Sequence, residues 1–354
     1  MKNNTLFTEE WFAQQKIDTL YTVTGEQMQD PLLTKFTGIT HTDFSFRFVQ
    51  TNQKNILLTS PLEAGTVKQH YHGKINIIRT RKDVLHILRP FFRHARVGVN
   101  MNYMTAGQYA ALKKTFPNAK LVDVSQALYD SRIIKTREEI QKIKEAAKIS
   151  HQIHGKMNNF LKKNMSEIEL AAALDYAIAR EGCTNAYPTI VGFGKNSSNI
   201  HHFNTNKKLQ KGNMILIDCG AKYEGYCSDL TRTTCFGRAT SEQHEKYDAC
   251  RKAQEESIAL IQPGVKASVV AEKAQKIIGH QIPHALGHGI GLETHDAPGA
   301  IHPRATWAFS EGMTLAVEPG YYTQKWGIRI EDDVLLTRNG CERLSTAPKK
   351  LIEL

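Results

Sequence analysis

Ile217-Asp218-Cys219-Gly220-Ala221-Lys222-Tyr223-Glu224-Gly225-Tyr226-Cys227-Ser228-Asp229-Leu230-Thr231-Arg232-Thr233 is the stretch of this chain that decides its fold. An apolar run, Met214 to Ile217, ends on one aspartate, and a second aspartate stands eleven positions on. The run reads as a buried strand over 214–218, and Tyr223 to Arg232 reads as a second strand. Three more side chains able to bind metal follow in order. His288 lies inside Gly287-His288-Gly289-Ile290-Gly291. Glu318 follows Thr314-Leu-Ala-Val317 and precedes Pro319-Gly320-Tyr321-Tyr322. Glu331 follows Gly327-Ile328-Arg329-Ile330. A single carboxylate at a strand end is ordinarily a cap or the partner of a lysine. Five candidates in order point instead to a site.

Four carboxylates and one imidazole form an oxygen-rich donor set that suits hard or borderline divalent ions, Mn²⁺ first, with Co²⁺ or Zn²⁺ as alternatives. Four negative charges exceed what one ion balances, and without metal some of them would hold protons. Two ions about 3.5–4 Å apart would balance them and generate a hydroxide between them at neutral pH. Arg329, two residues before Glu331, would share its strand face and orient a carboxylate.

These motifs resemble the metallopeptidase family that holds methionine aminopeptidase, aminopeptidase P and prolidase, with the pita-bread fold. The likeness covers roughly residues 130 to 350. It rests on the 217–233 run, on His284-Ala-Leu-Gly-His288-Gly-Ile-Gly-Leu292, on Val317-Glu-Pro-Gly-Tyr-Tyr322 and on Gly327-Ile-Arg-Ile-Glu-Asp-Asp-Val334. The resemblance implies that Asp218 chelates one ion, that Asp229 and Glu331 bridge both, and that His288 and Glu318 complete the second. It implies catalytic roles for two histidines. His201 would assist the leaving group, with the adjacent His202 as an alternative, and His295 would stabilise the tetrahedral intermediate. His284 would line the substrate pocket, with Arg329 and Tyr322 beside the last two carboxylates. Asp296 and Gly299 depart from the glutamate and the basic residue that many members carry after that histidine, so a difference in specificity is expected.

Composition bounds the rest. A chain of 354 residues accommodates one large domain or two medium ones. No apolar run is long enough to span a membrane. The opening Met1-Lys-Asn-Asn-Thr-Leu-Phe-Thr-Glu-Glu10 lacks the apolar core of a signal peptide, so a cytoplasmic protein is expected. The six cysteines, Cys183, Cys219, Cys227, Cys235, Cys250 and Cys341, show no Cys-x-x-Cys spacing and read as buried free thiols in a reducing compartment. The net charge is +11, of which residues 1–125 supply +7 through 16 Lys and Arg against 9 Asp and Glu. Arg79, Arg81, Lys82, Arg89, Arg93 and Arg96 cluster there. We read them as a solvated face rather than a nucleic-acid surface.

The first part alternates strand and helix signals. Strands are expected at 19–23, 44–51, 55–59, 74–79, 96–100 and 120–124, with helices at 8–15, 81–92 and 105–115. This stretch resembles the α/β creatinase-like N-terminal domain of aminopeptidase P and prolidase, which helps shape the pocket and dimerise. The boundary falls near Tyr129, giving domains at 1–128 and 129–354. Capping boxes at Thr136/Glu139 and Ser166/Glu169 open helices running to about Leu161 and Gly182. A second helical pair is expected at 241–261 and 268–278, broken at Pro263-Gly264. Helix pair then strands, twice over, describes an α+β pita-bread catalytic domain with two similar halves.

The expected activity is that of a dinuclear-metal exopeptidase, aminopeptidase P or prolidase, acting on small peptides with proline second by a metal-bridging hydroxide. A homodimer is implied by the resemblance. The alternatives are a creatinase-like non-peptidase hydrolase and a non-catalytic peptide- or protein-binding module. Both predict no metal at the five-ligand site.

Overall fold

A computed structural model describes residues 7–24, 29–40, 46–345 and 347–354. The chain divides after Ser131 into two units. In the first, six strands form one mixed sheet in the spatial order Lys74–Ile77, Asn55–Thr59, Arg47–Gln50, Thr19–Val23, Arg96–Val99, Lys120–Asp123. Thr19–Val23 runs antiparallel to Arg47–Gln50 and parallel to Arg96–Val99. All five of its residues are buried, as befits a strand covered on both faces. The helices Glu9–Gln15, Arg81–Phe92 and Ala106–Thr115 each begin on a threonine whose hydroxyl accepts a first-turn N–H. Three short helices, Pro31–Thr37, Ala64–His70 and Ser125–Asp130, carry too few turns for a periodic pattern to reveal them. The strand expected over 44–51 is observed as Arg47–Gln50; residues 44 and 45 lie outside the described residues, as do the first six of the chain. Arg79, Arg81, Lys82, Arg89 and Arg93 are exposed.

In the second unit both capping boxes form. The first helix, Arg137–Gly155, stops short of Leu161 at its terminal glycine, and only the 3₁₀ turn Met157–Asn159 continues it. The second is Glu167–Arg180. Ile149, Ile153, Leu170, Leu174 and Ile178 pack with Val191, Phe193, Ile215 and Ile217 of the sheet Thr231–Cys235, Met214–Asp218, Ile190–Phe193. Each such fully buried aliphatic side chain contributes roughly 1.5–3 kcal/mol. The second pair, Ser241–Leu260 and Ala267–Ile278, packs on the sheet Asp296–Ile301, Gly287–Gly289, Thr314–Val317, Asp332–Thr337, Gly340–Arg343. Helix pair plus sheet thus occurs twice. No described helix is long and apolar enough to cross a membrane.

The strand expected over 223–232 is broken. Glu224 and Gly225 both take positive φ, 45° and 86°. That is the two-residue hairpin turn that matches strand twist, and it joins Ala221–Tyr223 to Tyr226–Cys227. The chain then resumes as Thr231–Cys235, antiparallel to Met214–Asp218 with Thr231 opposite Asp218. This detour carries the chain from one aspartate to the other.

Candidate metal centre

Strand ends gather the acidic residues. Asp218 closes its strand, and Asp229 lies just before the partner strand that pairs with it. Val317 pairs with Asp332, so Glu318 leaves one strand where Glu331 enters its neighbour. His288 sits mid-strand between Ala316 and Ala300. A Cβ on Gly287 would lie 2.0 Å from the Ala316 carbonyl oxygen, and one on Gly289 2.3 Å from that of Ala297. Only glycine on each side lets the His288 backbone fit between its neighbours.

The five expected residues lie together, Asp218, Asp229, His288 and Glu331 buried and Glu318 half-buried. Asp229, His288 and Glu331 offer ligand atoms within 4.8 Å of one another. His288 Nε2 is 3.6 Å from Asp229 Oδ2 and 3.7 Å from Glu318 Oε1. The His288 Nδ1–H donates to the Gly289 carbonyl at 3.1 Å, leaving the Nε2 lone pair toward the carboxylates. The Tyr187 hydroxyl lies 2.5 Å from both Asp218 Oδ1 and Asp229 Oδ1. Arg329 Nη2 donates to Asp218 Oδ2 at 2.5 Å, and its Nε lies 3.9 Å from Glu318. Arg329 therefore serves the first aspartate more closely than the last two carboxylates. The Thr231 hydroxyl donates to Glu331 Oε2 at 2.6 Å.

The charge balance tests whether cations belong here. Asp218, Asp229, Glu318 and Glu331 share one guanidinium among the described residues, that of Arg329. The nearby Asp332 is neutralised separately by Arg232 and Lys349. Burial, then the repulsion of Glu331 and Asp218, drives the Asp229 carboxyl well above its ordinary range. Burial and Glu331 do the same to Glu318, and burial and Asp218 push Glu331 up to about 7. A phenol has one proton, so Tyr187 donates to only one of its two aspartates. The second close approach requires a proton on the carboxyl side, as the Asp229 shift provides. A cluster that must hold protons to stay together is built for cations, and its hard oxygen donors and single imidazole fit divalent ones.

The other expected residues surround this cluster. Arg329 Nη1 donates to the Tyr322 hydroxyl at 3.1 Å, Tyr322 lies 2.9 Å from His284 Nε2, and His284 Nδ1 donates to the Ala285 carbonyl at 2.7 Å. Burial pushes His284 and His288 down to about 4, so both are neutral at pH 7. His295 stands edge-on to His288, with ring centroids 4.3 Å apart, and is lowered by burial and by the neighbouring His201. The adjacent histidines are told apart by their partners. His202 Nε2 lies 2.8 Å from the buried Glu167, which also accepts from the Phe193 and Thr205 N–H groups, the Thr205 hydroxyl and the Asn196 amide. His201 is exposed and within electrostatic reach of His284 and His295. Asp296 faces away from this cluster into an ion pair with Arg132.

Sequence reasoning missed Tyr187, Thr231 and Glu167. Thr231 was within reach, since it opens the strand just after Asp229 and pairs with Asp218. Tyr187 lies in a loop with no periodic signal.

Comparison with known proteins gives the family. Residues 141–338 match metallopeptidase family M24, and residues 9–134 match the creatinase/prolidase N-terminal domain. The uncharacterized peptidase YqhT of Bacillus subtilis is 35% identical over 290 residues, 80% of each chain. The Xaa-Pro dipeptidase of Pyrococcus furiosus is 35% identical over 236 residues, 65% of this chain and 68% of that one. The crystal structure of the X-Pro aminopeptidase from Thermotoga maritima superposes with a TM-score of 0.89 at 28% identity, covering 96% of this chain and 98% of that one. The chain belongs to metallopeptidase family M24, in its aminopeptidase P and prolidase branch, where a creatinase-like α/β domain precedes a pita-bread catalytic domain. It is a metallo-exopeptidase, and divalent metal ions are its cofactors.

Proposed function

We propose that this metallopeptidase is a dinuclear enzyme that hydrolyses the bond between an N-terminal residue and a following proline. The observation that carries the reading is three buried carboxylates and the half-buried Glu318 converging on one imidazole with a single guanidinium between them. The proline preference is supported by the Xaa-Pro dipeptidase and X-Pro aminopeptidase among its relatives and by the N-terminal domain match. Mn²⁺ is the first ion to test, with Co²⁺ and Zn²⁺ next. The reading includes a homodimer, on family resemblance alone, and a reducing cytoplasm, which suits six unpaired cysteines.

Asp218, Asp229, His288, Glu318 and Glu331 would hold the two ions. When bound, the pair supplies a water acidified to the neutral range and polarises the scissile carbonyl. The chain's own residues do the rest. Arg329 and Tyr187 fix the two oxygens of Asp218, and Thr231 fixes one oxygen of Glu331. His295, neutral at pH 7, donates an N–H to the oxygen on which charge develops. His201 delivers a proton to the departing proline nitrogen.

The test is hydrolysis of an Xaa-Pro dipeptide and an Xaa-Pro-Yaa tripeptide in parallel, after chelation and Mn²⁺ add-back. Cleavage of the dipeptide alone makes the enzyme a prolidase, and cleavage of the tripeptide an aminopeptidase P. Cleavage of neither, with metal bound, overturns the reading.

A further inference from the structure

The loop that presents His295 runs from Ile290 to the strand beginning at Asp296 and has no regular structure of its own. Its one exposed side chain between two acidic neighbours is the imidazole itself. Those neighbours are seized from one side. Arg132, buried to 4% exposure, donates from Nε to Asp296 Oδ1 at 2.8 Å and from Nη2 to Asp296 Oδ1 at 2.5 Å and to Glu293 Oε2. Three residues on, the buried Lys135 donates from Nζ to the Ala297 carbonyl at 3.0 Å. Asp296 turns its other oxygen inward to the Leu292 N–H at 3.0 Å. The carboxylates on either side of His295 are therefore anchored while the imidazole projects edge-on to His288.

We infer that Arg132 is a positioning residue for His295, its guanidinium seated on Glu293 and Asp296 so that the loop holds the imidazole against the metal cluster. The inference rests on the reading of His295 as the group that stabilises developing charge. A guanidinium suits the task because its donors form a rigid fork that fixes two acceptors at once, whereas an ammonium is a point charge on a flexible stem. A charge requirement alone would be met by lysine; an orientation requirement would not. The departure at Asp296 belongs to this device. Its short carboxylate is buried under the arginine at 1% exposure and is not turned toward substrate.

Arg132→Lys keeps the buried charge and Glu293→Gln changes a partly exposed side chain while Asp296 still pairs with Arg132, so both are expected to fold. Each is expected to lower kcat about tenfold or more, as small misplacement of a reacting group does, with KM within about threefold and with full metal content and an unchanged unfolding midpoint. In a His295→Ala background, Arg132→Lys is expected to change kcat no further. A kcat loss of the same factor in both backgrounds overturns the inference, as does loss of metal or a change in KM alone. If His295→Ala leaves kcat at the wild-type value, the reading of His295 falls first and this inference with it.

Discussion

Arg329 donates to Asp218 at 2.5 Å from a position that is 2% exposed, and Arg329 is the lone cation beside four carboxylates among the described residues. Its burial alone would favour the neutral form, yet Tyr322, Asp218, Glu318 and Glu331 hold its proton well above the ordinary range. Arg329→Met leaves Asp218 buried and unpaired. Such a loss costs about 3–5 kcal/mol and about 10–100-fold in metal affinity or activity. The stability loss is expected to be larger in chelated protein than in loaded protein, because bound ions replace the missing positive charge. Urea unfolding with and without metal measures the difference.

Metal binding is expected to release protons and to strengthen with pH. Glu331 is pushed up to about 7 by burial and then Asp218, and Asp229 and Glu318 are raised well above their ordinary range by burial and then Glu331. As proposed ligands, each would bind metal only when deprotonated, so metal is expected to compete with protons below pH 7. Mn²⁺ titration by calorimetry at pH 6 and pH 8, in buffers of different ionisation enthalpy, checks this. Equal affinity at both, with no proton release, contradicts it.

His201 and His202 are expected to differ sharply. On its proposed role as proton donor, His201→Asn is expected to lower kcat by about 10²-fold or more, the range of general acid catalysis, with metal retained. His202→Asn breaks the contact that helps Glu167 organise residues 193–205 and acts mainly on stability. Steady-state kinetics beside thermal unfolding separates the two.

A buried histidine outside the metal cluster sets part of the acid limit. His154 meets the Cys219 thiol at 3.2 Å and is pushed down to about 4, first by burial and then by Arg232. The unfolded chain takes up this proton near pH 6.5. The native state refuses it until about pH 4. The contribution is therefore whole above pH 6.5 and is lost as pH falls toward 4, up to about 3 kcal/mol. His154→Leu is expected to flatten the dependence of the urea midpoint between pH 7.5 and pH 5 relative to wild type.

Much of this was legible in the chain. Met214 to Ile217 announced a buried strand, and Thr136/Glu139 and Ser166/Glu169 announced helix starts, because local pattern and capping chemistry act over a few residues. The five ligand candidates were visible because each carries metal chemistry in its own side chain. What was not legible lies in approach across space. Arg329 lies beside Glu318 as expected, but its shortest carboxylate contact is to Asp218, 111 residues away. Tyr187 reaches Asp218 and Asp229 from a loop that no periodicity marks. The break at Glu224-Gly225 was hidden because a tyrosine stands on each side of the turn, at 223 and 226, and the stretch reads on as one strand.

Mn²⁺ titration of the chelated protein, with hydrolysis of Xaa-Pro peptides followed alongside, tests the two-ion site. Activity is expected to rise to a plateau at two equivalents of metal. Full activity in the chelated protein, or metal binding at two equivalents with no cleavage of either peptide, would contradict it.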